Sequence, residues 1–126
     1  MKKILCLCLT VLCFNLAHAA IEILRETKDG IAYVDPDSIS KLNGLTKVTV
    51  LQDFHRMQSH ADQSYLTSKI EFGFDCKTNM VQQLAITLFP ENMGNGTAVF
   101  TEQKAGTMML VKAGSIEAVV MQKVCR

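Results

Sequence analysis

From Leu66 to Cys76 the chain alternates. Leu66, Ile70, Phe72, Phe74 and Cys76 are apolar, with Ser68 among them, while Thr67, Lys69, Glu71, Gly73 and Asp75 are polar or small. Period-two patterning of this kind predicts a half-buried strand, and it aims Cys76 toward the same interior as Phe72 and Phe74. Val48, Val50 and Phe54 make a similar face in Leu45–Phe54, as do Leu84, Ile86 and Leu88 in Met80–Phe89. Shorter apolar runs at Ile21–Leu24, Ile31–Val34, Ala98–Phe100 and Met108–Val111 bring the expected strands to about seven. Lys28-Asp29-Gly30 predicts a tight turn, and Asp35-Pro36-Asp37-Ser38 a turn that opens one helical turn through Leu42. Pro90–Gly96 reads as a loop and Ala105-Gly106 as another hairpin turn. In the tail, Ile116, Val120 and Val124 recur every four residues behind Ser115, a residue suited to capping a helix N-terminus. The expected fold is mainly β (α+β): an antiparallel meander sheet of six or seven strands, with a C-terminal helix over part of one face.

The first nineteen residues follow a different plan. Met1-Lys2-Lys3 precedes an apolar run from Ile4 to Leu16 and then Ala17-His18-Ala19. A cationic start, a short apolar stretch and small residues at −3 and −1 predict a secretory signal peptide over 1–19, cleaved between Ala19 and Ala20. The run falls short of the roughly 20 residues a membrane span needs. Leu12 before Cys13 is also not the small residue that lipidation requires, so a soluble exported form is expected.

This segment changes what the composition means. The whole chain has 126 residues, five cysteines and a formal charge of +1. Residues 20–126 number 107, carry eleven basic and twelve acidic side chains, and keep only Cys76 and Cys125. A near-neutral chain of this size has no electrostatic reason to seek nucleic acid or anionic lipid. It is too short for a multidomain enzyme and holds no further apolar stretch of spanning length.

Export takes thiols into an oxidising compartment, where an even pair in a small domain reads as a disulfide. The alternative is a redox-active or metal-binding pair, but there is no Cys-x-x-Cys and neither cysteine has a histidine nearby in sequence. Among other chemistry, Asp53, His55, His60 and Asp62 form the densest set of metal-ligand types. A polar hairpin loop explains the same residues, so no metal and no cofactor are expected. Ser38 and Ser115 stand in turn and cap contexts without a base, which leaves no candidate for nucleophilic catalysis. Asn95-Gly96-Thr97 matches a glycosylation sequon, which the turn accounts for. Met57, Met80, Met93, Met108, Met109 and Met121 are expected to fill gaps in the core.

Several segments occur in a telling order: Tyr33-Val34-Asp35-Pro36-Asp37-Ser38-Ile39, Leu51-Gln52-Asp53-Phe54, Phe72-Gly73-Phe74-Asp75-Cys76, Ala113-Gly114-Ser115 and Val124-Cys125. With this order and these cysteine positions the chain resembles the surface-adhesin protein E family of small exported proteins from Gram-negative bacteria, over nearly the whole of residues 20–126, from about Glu22 to Arg126. The resemblance implies an antiparallel sheet with a disulfide-tied C-terminal helix. It also implies a surface or periplasmic location and, as in characterised members, binding of host matrix proteins such as vitronectin or laminin. Those members carry basic residues before the first cysteine, where this chain reads His55-Arg56-Met57-Gln58-Ser59-His60-Ala61-Asp62-Gln63, so no binding residue carries over one for one.

The expected function is therefore a non-enzymatic exported domain that binds a host or envelope macromolecule. His55, Arg56, His60 and Asp62 in a Gln52–Gln63 loop form the candidate contact, with Pro90–Gly96 beside it, because loops on a rigid sheet carry recognition. Sheet edges can pair two copies, so a homodimer stays among the expected assemblies. The alternatives are a periplasmic carrier of a small ligand or metal through His55 and His60, and a structural component of an envelope assembly.

Overall fold

The computed structural model describes residues 21–126. The expected signal peptide and its cleavage site lie outside them. The strands are β1 (Glu22–Thr27), β2 (Gly30–Leu42), β3 (Leu45–His60), β4 (Gln63–Asp75), β5 (Met80–Phe89), β6 (Phe100–Glu102) and β7 (Met109–Leu110), followed by helix α1 (Ile116–Val124). All pairings are antiparallel, in the order β1-β2-β3-β4-β5-β6, with β7 also on β5.

The alternation becomes a layered core. Val34, Val50, Ile70 and Ile86 stand in one registered row across four strands. Val48 and Phe72 form the next row, and Thr46, Phe74 and Val81 the one after. Helix α1 lays Ile116, Val120 and Val124 onto this face. The Ser115 hydroxyl caps the helix by accepting from the Ala118 N–H at 3.2 Å. Disulfide Cys76–Cys125 then ties the end of the helix to the end of β4. The meander sheet, the helix and the bridge follow the expectation. At the turn after β4, the Asp75 carboxylate accepts from the Lys77 N–H at 3.0 Å, and that bond with the Thr78 hydroxyl holds its pKa below the ordinary 3.8.

Four expectations need correction. Asp35–Leu42 opens no helical turn. The turn chemistry is present, with Asp35 Oδ1 accepting from the Asp37 N–H and the Ser38 hydroxyl donating to the Asp35 carbonyl. It is absorbed as a bulge in β2, after which Ser40–Leu42 rejoin the ladder opposite Lys47–Leu45. The actual reversal is Asn43-Gly44, both at positive φ as a two-residue hairpin turn demands. Ala105-Gly106 is likewise no hairpin turn. β6 and β7 both run antiparallel to β5, so the chain continues one way along a single edge, with the Gly106 N–H donating to the Gln83 carbonyl. Gln52–Gln63 is not a loop but mostly strand, as described below. Finally, Met57, Met93 and Met109 are 57%, 44% and 64% exposed, so they fill no core gap.

Gly30 opens β2 opposite Phe54, at the close crossing of β2 and β3. A Cβ built there would lie 2.2 Å from the Asp53 carbonyl oxygen, which is backbone and cannot step aside cheaply. Gly30→Ala is expected to cost about 3 kcal/mol, read as a lowered urea midpoint with an unchanged slope; a midpoint equal to wild type would contradict this packing.

Candidate functional site

The pairing of β3 with β4 outruns its neighbours. β2 stays beside β3 only as far as Gly30 opposite Phe54, and β5 stays beside β4 only to Phe89 opposite Thr67. Beyond that line residues 55–66 continue as a two-stranded arm. It begins with a bulge between Asp53 and Gln58, then re-forms as Gln58–Tyr65, Ser59–Ser64 and His60–Gln63. Ala61 and Asp62 close it with φ of 48° and 62°. Two adjacent left-handed residues match the right-handed twist of the flanking strands, which is why a two-residue turn suffices.

The arm is fastened at both ends by different chemistry. At its root the His55 N–H donates to the Asp29 carbonyl at 2.9 Å, and His55 Nδ1 lies 3.2 Å from the Lys28 carbonyl. Phe54 meets Tyr65 edge-on at 5.9 Å. Near the tip the His60 ring stands edge-on to Phe100 at 4.8 Å. Between these anchors Arg56 is exposed and Met57 is 57% exposed.

The four residues expected to act together are thus divided. His55 and Arg56 belong to the bulge at the root, whereas His60 and Asp62 belong to the tip. The two histidines are five residue steps apart along the strand, on the order of 16 Å at the usual rise. Among the described residues no three of histidine, cysteine, aspartate and glutamate gather at ligating distance. Asp53 is already committed. Its Oδ1 accepts from Asn92 Nδ2 and from the Met93 N–H, both at 2.9 Å.

Those bonds belong to a knot the sequence did not reveal. Thr67 is fully buried, although it falls on the polar side of the β4 alternation. Its hydroxyl donates to the Glu91 carbonyl at 2.6 Å, with Asp53 Oδ1 at 3.2 Å sharing the same proton, and accepts from the Gly94 N–H at 3.1 Å. Asn92 Nδ2 also donates to the Phe54 carbonyl at 2.9 Å. The knot holds the 90–96 segment, with its short 3-10 turn Asn92–Gly94, across the root of the arm. Thr67→Val keeps the shape and removes the hydroxyl, leaving the Glu91 carbonyl and the Gly94 N–H without it. A loss of about 2 kcal/mol is expected, together with faster amide exchange at Met93 and Gly94; unchanged exchange there would count against the knot.

The serines considered for chemistry are structural. Ser38 Oγ donates to the Asp35 carbonyl and accepts from the Thr49 N–H at 2.8 Å, and Ser115 Oγ caps α1.

The model of the family described as Surface-adhesin protein E matches residues 21–126. The chain belongs to this family. Its fold also occurs in solved structures of Haemophilus influenzae protein E. One, at 14% identity, superposes with a TM-score of 0.62 over 82% of this chain and 83% of that one. The selenomethionine form gives 0.61 at 16% identity, over 82% and 84%. Protein E from non-typeable Haemophilus influenzae gives 0.60 at 14% identity, over 82% and 74%. At such identities the likeness concerns the fold alone. No curated protein matches the chain. This member of the family has an antiparallel sheet, a C-terminal helix and the Cys76–Cys125 bridge, and no helix among its described residues is long and apolar enough to cross a membrane.

Proposed function

We propose that this family member is an exported, non-enzymatic binding domain that engages a host matrix or envelope protein through the β3–β4 arm. Residues 1–19 act as its leader, removed between Ala19 and Ala20, and the released protein works in the periplasm or at the cell surface. The observation that carries the reading is the arm itself. Residues 55–66 project past both neighbouring strands while their root is locked by Asp53, Thr67 and Asn92. A rigid projection presenting exposed Arg56, Met57 and Asp62 is built for contact, because little ordering entropy is left to lose on binding. His55 and His60 serve as its fasteners, and the 90–96 segment broadens its base. Family membership supports adhesion as the role, and the serines held in caps and turns offer no nucleophile with a base.

Location and binding are tested together by treating intact cells with protease. A surface adhesin is removed; a periplasmic protein is spared until the outer membrane is opened. Full protection, combined with no retention of matrix protein by the purified oxidised chain, would sink the host-directed form of the proposal.

A further inference from the structure

The near-neutral total of residues 20–126 hides a separation of charge along the sheet. β3 runs its length, 16 residues and on the order of 50 Å, from the Asn43-Gly44 turn to the arm. Past the row of Ala32, Gln52, Ser68 and Leu88, the arm end carries Glu26, Asp29, Asp53, Asp62 and Glu91 against Lys28 and Arg56. The other end reverses the balance. Beyond the Lys47–Gly73 pair, Lys41, Lys77, Lys112 and Arg126 face Asp75 alone among acidic side chains. Lys47 and Lys123, the next cations inward, are already paired with Glu71 and Glu22.

Three connections gather the four cations. Thr46 stands opposite both Lys41 and Phe74, and Lys41 Nζ donates to its hydroxyl at 2.6 Å. The turn after β4 carries Lys77 and, through Cys76–Cys125, holds Arg126 beside it. The Val111 N–H donates to the Asn79 carbonyl of the same turn at 2.9 Å, which brings Lys112. All four are exposed, and none joins an ion pair among the described residues.

The same end leaves apolar side chains in water. Leu42 closes β2 and Leu110 closes β7, at 48% and 73% exposed, and Met109 is exposed beside Leu110. The register runs from Lys41 through Thr46, Phe74 and Val81 to Met109. Four strand spacings, on the order of 19 Å, therefore separate the Lys41-Leu42 corner from the Met109-Leu110 corner. Leucines at two corners with cations around them match the boundary of a bilayer. Apolar side chains enter beneath the headgroups there, while ammonium and guanidinium groups stay at phosphate depth. A soluble anion would answer the cations and leave the leucines in water. A second copy docked about a two-fold axis would set these cations against their own like.

We propose that this disulfide-bearing end docks on a bilayer surface carrying anionic phospholipid headgroups. Leu42, Met109 and Leu110 enter the surface, and Lys41, Lys77, Lys112 and Arg126 meet the phosphates. Docked in this way, the sheet stands with its arm pointed away from the membrane. The surface is separate from the arm and stands whether or not the arm binds a macromolecule.

The test is co-sedimentation of the purified, oxidised protein with two kinds of vesicle, phosphatidylcholine alone and an equal mixture with phosphatidylglycerol. Binding is expected to the mixed vesicles only, and it should fall as salt is raised. Lys77→Gln with Lys112→Gln should weaken it about tenfold or more. Lys28→Gln with Lys104→Gln removes the same charge elsewhere and should leave it unchanged. Leu42→Ser with Leu110→Ser should weaken it about tenfold. Melting temperatures matching wild type establish that the variants fold. No binding to the mixed vesicles, equal binding to phosphatidylcholine alone, wild-type affinity in the folded Lys77/Lys112 or Leu42/Leu110 variant, or an equal loss in the Lys28/Lys104 variant overturns the proposal.

Discussion

Reducing Cys76–Cys125, or replacing both cysteines by serine, is expected to remove about 4 kcal/mol of stability. The bridge closes a sequence separation of 49 residues, and the chain-entropy account values a loop of that length at about 4 kcal/mol. Against the 5–15 kcal/mol typical of a whole domain, that is a large share. The loss should not be spread evenly. Helix α1 is held to the sheet by three apolar side chains, its ion pair from Lys123 to Glu22, the Arg25 bond to the Gly114 carbonyl, and this bridge. Amide exchange in α1 and β1 should therefore rise before exchange in β3 and β4. Urea midpoints with and without reductant, read beside the exchange pattern, provide the check; a midpoint indifferent to reductant would show that the staple contributes little.

Phe74→Ala is expected to cost about 3–5 kcal/mol. Phe74 is fully buried in the row with Thr46 and Val81, its ring lies 5.9 Å from that of Phe72, and it stands two residues before the bridge. Deleting its ring opens a cavity that β3 and β5, locked in register on either side, cannot collapse to fill. Calorimetry on the oxidised variant measures the loss. A cost below about 1 kcal/mol would mean the core is looser than the registered rows imply.

The strands were legible wherever one face is buried. Leu66–Cys76 and Met80–Phe89 announce themselves because period two has a physical cause there: alternate side chains meet α1 or the opposite face. That cause disappears beyond Gln52. Both sides of the arm meet largely solvent, so His55–His60 carries no alternation and reads as loop although its backbone is strand. Asp35–Ser38 misleads in the opposite way. Its side chains make the bonds their sequence promises, yet a bulge absorbs them because the Asn43-Gly44 turn returns the chain to the ladder. Ala105-Gly106 is a local turn signal overruled by the β5 edge, which takes β6 and β7 in the same direction.

The candidate site was legible in its location and not in its anatomy. The segment around His55 and His60 stood out by composition, and it is the part of the sheet that projects. Its root could not be read, because Asp53 meets Thr67, Asn92 and Met93 across 14, 39 and 40 residues, and no local pattern records such a meeting. A threonine on the polar side of a strand looks like a surface residue until the 90–96 segment is seen to cover it. The cysteine pairing was legible because compartment and count leave few alternatives.

Contact through the arm is checked by retention of matrix or native envelope proteins on immobilised, oxidised wild-type protein and on an Arg56→Gln, Met57→Ser, Asp62→Asn variant. These three side chains are exposed and are not among the arm's fasteners, so the variant should melt with the wild type. A protein retained by the wild type is expected to be lost from the variant by at least about tenfold. Equal retention by both would contradict it and place the contact elsewhere on the sheet.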